Sequence, residues 1–156
     1  MSSPLVVVEV ILLSECEGVL RYRQSRAAVR DRAHPDDVAR QIAGLSPCTS
    51  GGLLHSTSWR AEQATVVLTY VALPDMQPAS ARPVQLDAVT YGGHPLAPSP
   101  ATVDLDAVAA HACRHLAMLA DTDRVVATAA LLLPELWEPL RKLAPVPAGA
   151  LTAVAV

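Results

Sequence analysis

Aliphatic runs separated by short polar breaks dominate the first half of the chain, and this pattern is typical of β-strands. Residues 5–13 form a near-continuous aliphatic, β-branched run, which predicts a strand covered on both faces. After turn-forming residues at 14–18, a second strand is predicted over 19–24, so the two strands form a hairpin. Residues 53–60 and 64–73 repeat this arrangement, and they predict a second hairpin at the centre of the sheet.

Helical periodicity replaces the strand pattern elsewhere. Helices are predicted over 34–45, over 104–120, over a short segment ending at Leu133 and from Pro134 onward. The first has Pro35 in its opening turn and Gly44 at its end, and Asp104 is a natural N-cap for the second. The alternating residues 84–91 predict a further, half-buried strand.

Together these elements predict an α+β fold in one domain that spans residues 1–156. The expected architecture is a mixed, mainly antiparallel sheet of about five strands, packed against the 34–45 helix and a C-terminal helical pair. A chain of 156 residues fits one domain with a proper core. Since the sequence has no Phe, we expect an aliphatic core with Trp59 and Trp137 as its few large aromatic residues.

Charge and composition exclude several functional classes. The formal charge of −3 argues against a general nucleic-acid binder, because such proteins carry a basic excess. No apolar run reaches the roughly 18 residues of a membrane helix, so we expect no membrane span and a cytoplasmic protein. The three cysteines are widely spaced, which predicts free thiols. The strong preference for Arg over Lys, with abundant Ala and Pro, suggests a GC-rich bacterial source.

The polar run 55–58 is the first candidate site, because a strand that only built core would not carry four consecutive polar residues. Strict alternation places His55, Thr57 and Trp59 on one face of the strand. With Tyr70 from the next strand, these residues predict a small-molecule pocket. No cofactor is assigned to it.

Arginines are concentrated in residues 21–40, which contain six of the eleven in the chain. Guanidinium groups bind phosphate or carboxylate in bidentate fashion, so Arg21 and Arg23 are candidates for holding a small anionic ligand. The alternative is a solvated face whose charge is balanced by nearby aspartates. A turn closed by Ser14 and Gly18 further predicts that Glu9 lies opposite Arg23 as an ion pair at a sheet edge.

The order of GVLRYRQSR, HPDDVARQIAGL, LLHSTSWR and VVLTYVAL resembles the Nudix hydrolases over residues 5–73. The resemblance implies a Nudix-like fold and a phosphate- or nucleotide-bearing ligand. Nudix enzymes hold magnesium with glutamate pairs on their motif helix, and this chain has Arg40, Gln41, Ile42 and Ala43 where those glutamates are expected. No catalytic residue is therefore carried over.

A pair of histidines supports a different hypothesis, a metal-assisted hydrolase. His111 and His115 are one helical turn apart, the spacing at which one helix presents two imidazoles to zinc. A third ligand must come from elsewhere, with His55 and Asp87 as candidates. This alternative leaves open whether the protein is an enzyme.

The C-terminal residues 150–156, ALTAVAV, carry no charged side chain and predict a further possibility, a structural or dimerisation protein. An exposed, uncharged segment with β-propensity is an aggregation hazard, which proteins normally cover. We expect this segment to add to a sheet edge in its own subunit or across a homodimer.

Overall fold

The computed structural model describes residues 5–86 and 104–143. Its strands are β1 (Leu5–Cys16), β2 (Val19–Ala28), β3 (Leu53–Glu62), β4 (Thr65–Leu73) and β5 (Arg82–Pro83), and its helices are α1 (Pro35–Ala43), α2 (Leu105–Thr122), α3 (Arg124–Leu132) and α4 (Pro134–Arg141). The strands form one sheet in the order β3-β4-β1-β2-β5, in which β1 and β4 are parallel and the other neighbours are antiparallel. The predicted α+β fold with a mixed five-stranded sheet is confirmed.

The sheet lies between two helical layers because β1 is apolar on both faces. Val10 and Leu12 pack in a cluster with Ala39 of α1, while Ile11 and Leu13 pack in a second cluster with residues of α2, α3 and α4. Alternate side chains of one strand thus enter two different cores. The continuous aliphatic run was the correct signal for a strand buried on both faces.

The β1–β2 hairpin has a different register from the predicted one. The strands continue to a two-residue turn, Glu17 and Gly18, and both residues have positive φ, 52° and 80°. Positive φ at both positions is the type I′ geometry that suits the twist of a hairpin. The tighter turn places Arg26 opposite Glu9, so the prediction of Arg23 at that position was wrong. The predicted edge location was also wrong, since Glu9 lies on the central strand and is fully buried.

The β3–β4 hairpin forms as predicted but lies on one side of the sheet, with β3 at the edge. It also contains a β-bulge: Ser56 pairs with Tyr70 and Ser58 with Thr69, which leaves Thr57 as the extra residue. The Thr57 hydroxyl donates a hydrogen bond to the Thr69 carbonyl at 3.3 Å. A bulge interrupts the alternation of faces, so the predicted alternation of this strand holds only as far as Ser56.

The bulge determines which large side chains are buried. Beyond it, Trp59 is 61% exposed, whereas Arg60 is buried. The expectation that Trp59 belongs to the core was therefore wrong. Trp137 of α4 is in the core, as predicted.

Local capping signals explain the helix ends. The His34 ring accepts a hydrogen bond from the Asp36 amide at 3.1 Å, and Gly44 ends α1 with φ of 64°. Asp104 caps α2, as predicted, and Asp123 caps α3 through the amides of Val125 and Val126.

The predicted strand over 84–91 is not found in its described part. Residues 84–86 lie outside any strand, and the last strand is the two-residue β5, which pairs with β2. Proline has no N–H and is confined to edge strands, so β5 ends at Pro83. The remainder of the predicted strand, Asp87 included, and the 150–156 segment lie outside the described residues. None of the helices described is both long and apolar enough to span a membrane.

Candidate functional site

A cleft of about 450 Å³ lies at the edge of the sheet where β1 and β4 end. Because these strands are parallel neighbours, their carboxyl ends meet at this edge, and ligands commonly bind beyond the carboxyl ends of parallel strands. β1 contributes Ser14 and Glu15 to the lining, the segment after β4 contributes Pro74 and Asp75, and residues 132–136 at the α3–α4 junction form the facing wall.

Ser14 is the unusual member of this lining. The residue is 8% exposed, and its hydroxyl oxygen is buried without a hydrogen-bond partner within residues 5–86 and 104–143. A buried polar group without a partner costs about 1–3 kcal/mol, and native proteins contain few of them. The floor of the cleft therefore holds a hydroxyl whose hydrogen-bonding capacity is unused.

Asp75, in contrast, is held in place from several directions. Arg23 donates to its two carboxylate oxygens at 3.1 and 2.8 Å, a bidentate pair, and the hydrogen bond with Asp75 raises the pKa of Arg23. The Gln77 amide also donates to the Asp75 carboxylate, and the Asp75 amide donates to the Leu13 carbonyl at 2.8 Å. These contacts fix the chain after β4 against the end of β1.

Apart from Glu135, the facing wall is apolar, and it is packed against the core and the loop before β3. Leu133 connects α3 to α4, and Leu136 is buried in the adjoining core. Gly51 has φ of 69°, and a Cβ at this position would lie 2.6 Å from the Leu133 side chain. Only glycine fits there, because both the backbone conformation and the lack of space exclude other side chains. The loop before β3 thus supports this wall of the cleft.

The four residues predicted to line a pocket do not come together. His55 lies opposite Val71, on the α2 side of the sheet, whereas Trp59 lies opposite Leu68, on the α1 side. Tyr70 also faces α1, where its hydroxyl donates to the Asp36 carboxylate. The bulge is the reason for Trp59, because it interrupts the alternation of faces between Ser56 and Ser58. Tyr70 is on the other face from His55 because it is the neighbour of Val71 along β4, and successive side chains alternate.

The arginines predicted to hold an anion are already bound to other groups of the protein. Arg21 donates to the Ala81 carbonyl at 2.6 Å, and Arg23 is paired with Asp75. Arg26 forms ion pairs with Glu9 and with the more exposed Glu62. All three guanidinium groups therefore already have partners in the fold.

The histidines predicted as metal ligands gather at the α2–β3 contact. The rings of His55 and His115 meet edge to face, with 5.4 Å between centroids. Burial lowers the pKa of His111, a hydrogen bond with the Thr57 backbone opposes this shift, and Arg114 adds to it. Within the described part of the chain, no three His, Cys, Asp or Glu side chains are placed to hold a metal ion.

The largest polar cluster is a closed network around Glu9. Arg60 donates to both oxygens of this carboxylate at 2.9 and 3.1 Å, and Gln24, Arg26 and Thr69 donate at 2.6, 3.0 and 3.0 Å. Burial raises the pKa of Glu9, but the hydrogen bonds and charges of Arg60, with those of Gln24 and Arg26, outweigh burial and lower it to about 2. Since its oxygens are fully engaged, this network is a structural feature of the sheet.

Comparison with family models, with curated proteins and with solved structures found no match to this chain. Nothing in these comparisons bears on the Nudix resemblance, which stays a prediction. Functional interpretation therefore depends on the geometry of the site.

Sequence reasoning missed the cleft because its residues lie in segments that predict turns and loops. Ser14 was placed in the predicted β1–β2 turn and Asp75 in a proline-rich surface loop. The one available signal was a polar residue directly after the aliphatic run of residues 10–13. That signal has functional meaning only once the strand is known to have a parallel neighbour.

Proposed function

We propose that this protein binds a small molecule in the cleft at the carboxyl ends of β1 and β4. The observation that carries the proposal is the buried Ser14 hydroxyl, which has no partner in the described residues although it borders an open cleft. A ligand group that hydrogen-bonds to this hydroxyl removes the cost of leaving it unsatisfied.

The size and lining of the cleft support the same proposal. A volume of about 450 Å³ lies in the range of small-molecule pockets, roughly 300–1,000 Å³. Such pockets combine apolar walls with a few positioned polar groups. Here Leu132, Leu133 and Leu136 supply the apolar wall, and Ser14 of β1 supplies a polar group on a central strand.

An anionic ligand held by Arg21 and Arg23 is the competing proposal, which derives from the arginine clustering and the Nudix resemblance. A ligand there would have to displace Ala81 and Asp75 from the two guanidinium groups. A phosphate- or nucleotide-bearing ligand, a catalytic role for the histidines, a homodimer and a cytoplasmic location all stay predictions.

A fragment screen by two-dimensional amide NMR tests the proposal. The library should contain small amphipathic molecules together with inorganic phosphate and a nucleotide. We expect binding fragments to shift the amides of residues 13–16, 75–77 and 132–136.

A second pocket of about 220 Å³, lined by Arg40 and by residues 45–47 and 52–54, serves as an internal control. Fragment shifts confined to that pocket or to β2, or no shifts at millimolar fragment, would contradict the proposed site. Phosphate shifts centred on Arg21 and Arg23 would favour the competing proposal.

A further inference from the structure

We infer that the cleft selects a molecule that joins an apolar body to a protonated nitrogen, such as an alkylammonium. This inference depends on the proposed function, because it specifies the class of ligand for the same cleft. The evidence is the distribution of charge around the cleft, the unused hydroxyl of Ser14 and the apolar wall.

Every charged side chain that lines the cleft is acidic. Glu15, Asp75 and Glu135 are carboxylates, and the lining contains no Arg, Lys or His. Arg23 neutralises Asp75 through their bidentate pair. In the described residues, no cation lies within ion-pair distance of Glu15 or Glu135. The Glu15 carboxylate accepts a hydrogen bond from the Gly18 amide at 2.5 Å, which leaves its charge in place. The lining therefore contains two carboxylates, Glu15 and Glu135, whose charge no cation of the described residues balances.

The amino end of α4 also borders the cleft, and a helix dipole there attracts anions. Its effect is equivalent to roughly half a positive charge, which is smaller than the two carboxylate charges. Pro134 occupies the first helical position and has no N–H to offer an anion. Glu135 in the first turn compensates the dipole further. The balance of charge therefore favours a cation.

Ser14 adds directional recognition to this charge preference. A hydroxyl oxygen has two lone pairs and accepts hydrogen bonds from N–H donors. An ammonium group has three N–H donors and no acceptor, so it can engage Ser14 and a glutamate at the same time. The wall formed by Leu132, Leu133 and Leu136 then contacts the apolar part of the same molecule.

Three probes of equal length test the inference by NMR titration of the full chain at pH 7: hexylamine, hexanol and hexanoate. We expect hexylamine to bind at least tenfold more tightly than hexanoate, with hexanol between them. For hexylamine, we also expect the affinity to fall with added salt, because partly exposed charges are screened.

Charge-neutralising variants provide the matched comparison. The Glu15→Gln and Glu135→Gln changes should each weaken hexylamine binding several-fold and leave hexanol binding unchanged. The controls are Glu17→Gln and Glu138→Gln as separate variants, each of which removes one charge from an exposed residue outside the lining. Amide spectra of each variant establish that its fold is intact.

The possible outcomes separate this inference from the proposed function. Equal or tighter binding of hexanoate in the cleft would overturn the cationic class and leave a ligand-binding cleft. Binding of none of the three probes would also overturn the inference, and the fragment screen would then decide the proposed function. If a control variant weakens hexylamine binding as much as Glu15→Gln or Glu135→Gln does, the affinity depends on the overall charge of the protein. This result would contradict selection by the lining residues.

Discussion

Two buried polar side chains on β1, Glu9 and Ser14, have opposite environments. Glu9 lies in the middle of the strand, where its carboxylate accepts hydrogen bonds from Arg60, Arg26 and neighbouring polar groups. Ser14 lies five residues further on, where its hydroxyl borders the cleft without a partner in the described chain. Burial alone therefore does not distinguish a polar group that the fold satisfies from one that it leaves without a partner.

The two regions differ in whether other groups of the protein form hydrogen bonds with the buried polar side chain. A closed network stabilises and specifies the fold, because each group would be costly to leave unpaired. An unsatisfied group beside a cavity contributes nothing to stability and is available to another molecule. The following predictions test this difference, beginning with the largest effect.

Replacing Glu9 with Gln should produce the largest loss. The variant removes the buried carboxylate that pairs with the buried Arg60 guanidinium and leaves Arg60 only its pair with the partly exposed Glu62, and breaking a buried ion pair costs about 3–5 kcal/mol. Chemical denaturation measures the free energy of unfolding. Glu17→Gln, on an exposed turn residue, is the control and should change it by less than about 0.5 kcal/mol. Similar stability of the two variants would show that the Glu9 network is not structural.

Acid should weaken the same network. The pKa of Glu9 in the fold is about 2, below its ordinary value of 4.5, so the folded protein prefers the ionised form. This contribution to stability is fully present above pH 4.5 and is lost as the pH falls toward 2.

At pH 3 the loss should be about 2 kcal/mol, so the stability gap between wild type and Glu9→Gln should narrow by that amount between pH 7 and pH 3. Denaturation curves at the two pH values measure it. A gap that is independent of pH would contradict the low pKa of Glu9.

Thr69→Val should cost roughly 1.5 kcal/mol, a smaller effect, because it removes one hydroxyl and keeps the side-chain shape. The Thr69 hydroxyl donates to Glu9 at 3.0 Å and accepts from Arg60 at 3.2 Å. Denaturation of Thr69→Val gives this value directly. If the valine variant is as stable as the wild type, the hydroxyl is not part of the network.

Ser14→Ala is the matched change in the other region, and its effect on stability should be the smallest. Since the hydroxyl has no partner in the described residues, we expect unfolding free energy to stay the same or to rise by up to about 1 kcal/mol. The same variant should weaken hexylamine binding in the cleft several-fold. A Ser14→Ala variant that is clearly destabilised would mean that the fold does satisfy this hydroxyl, and the main support for the cleft as a site would be lost.

Local chemistry in the sequence was sufficient to predict most elements. The apolar run of β1, the acidic and proline-bearing start of α1, its end at Gly44 and the Asp104 cap each depend on interactions within a few residues. Every residue that contributes to such a signal lies within one short stretch of the chain. The α+β class followed from them.

Only the tertiary structure decided the register, the bulge and the site. Glu9 faces Arg26 because of the turn at Glu17 and Gly18, and Thr57 is displaced by pairing between β3 and β4. The cleft joins Ser14, Asp75 and Leu133, which are separated by about 60 residues at each step. No local pattern encodes their proximity, because the parallel pairing of β1 with β4 and the packing of the α3–α4 junction bring them together.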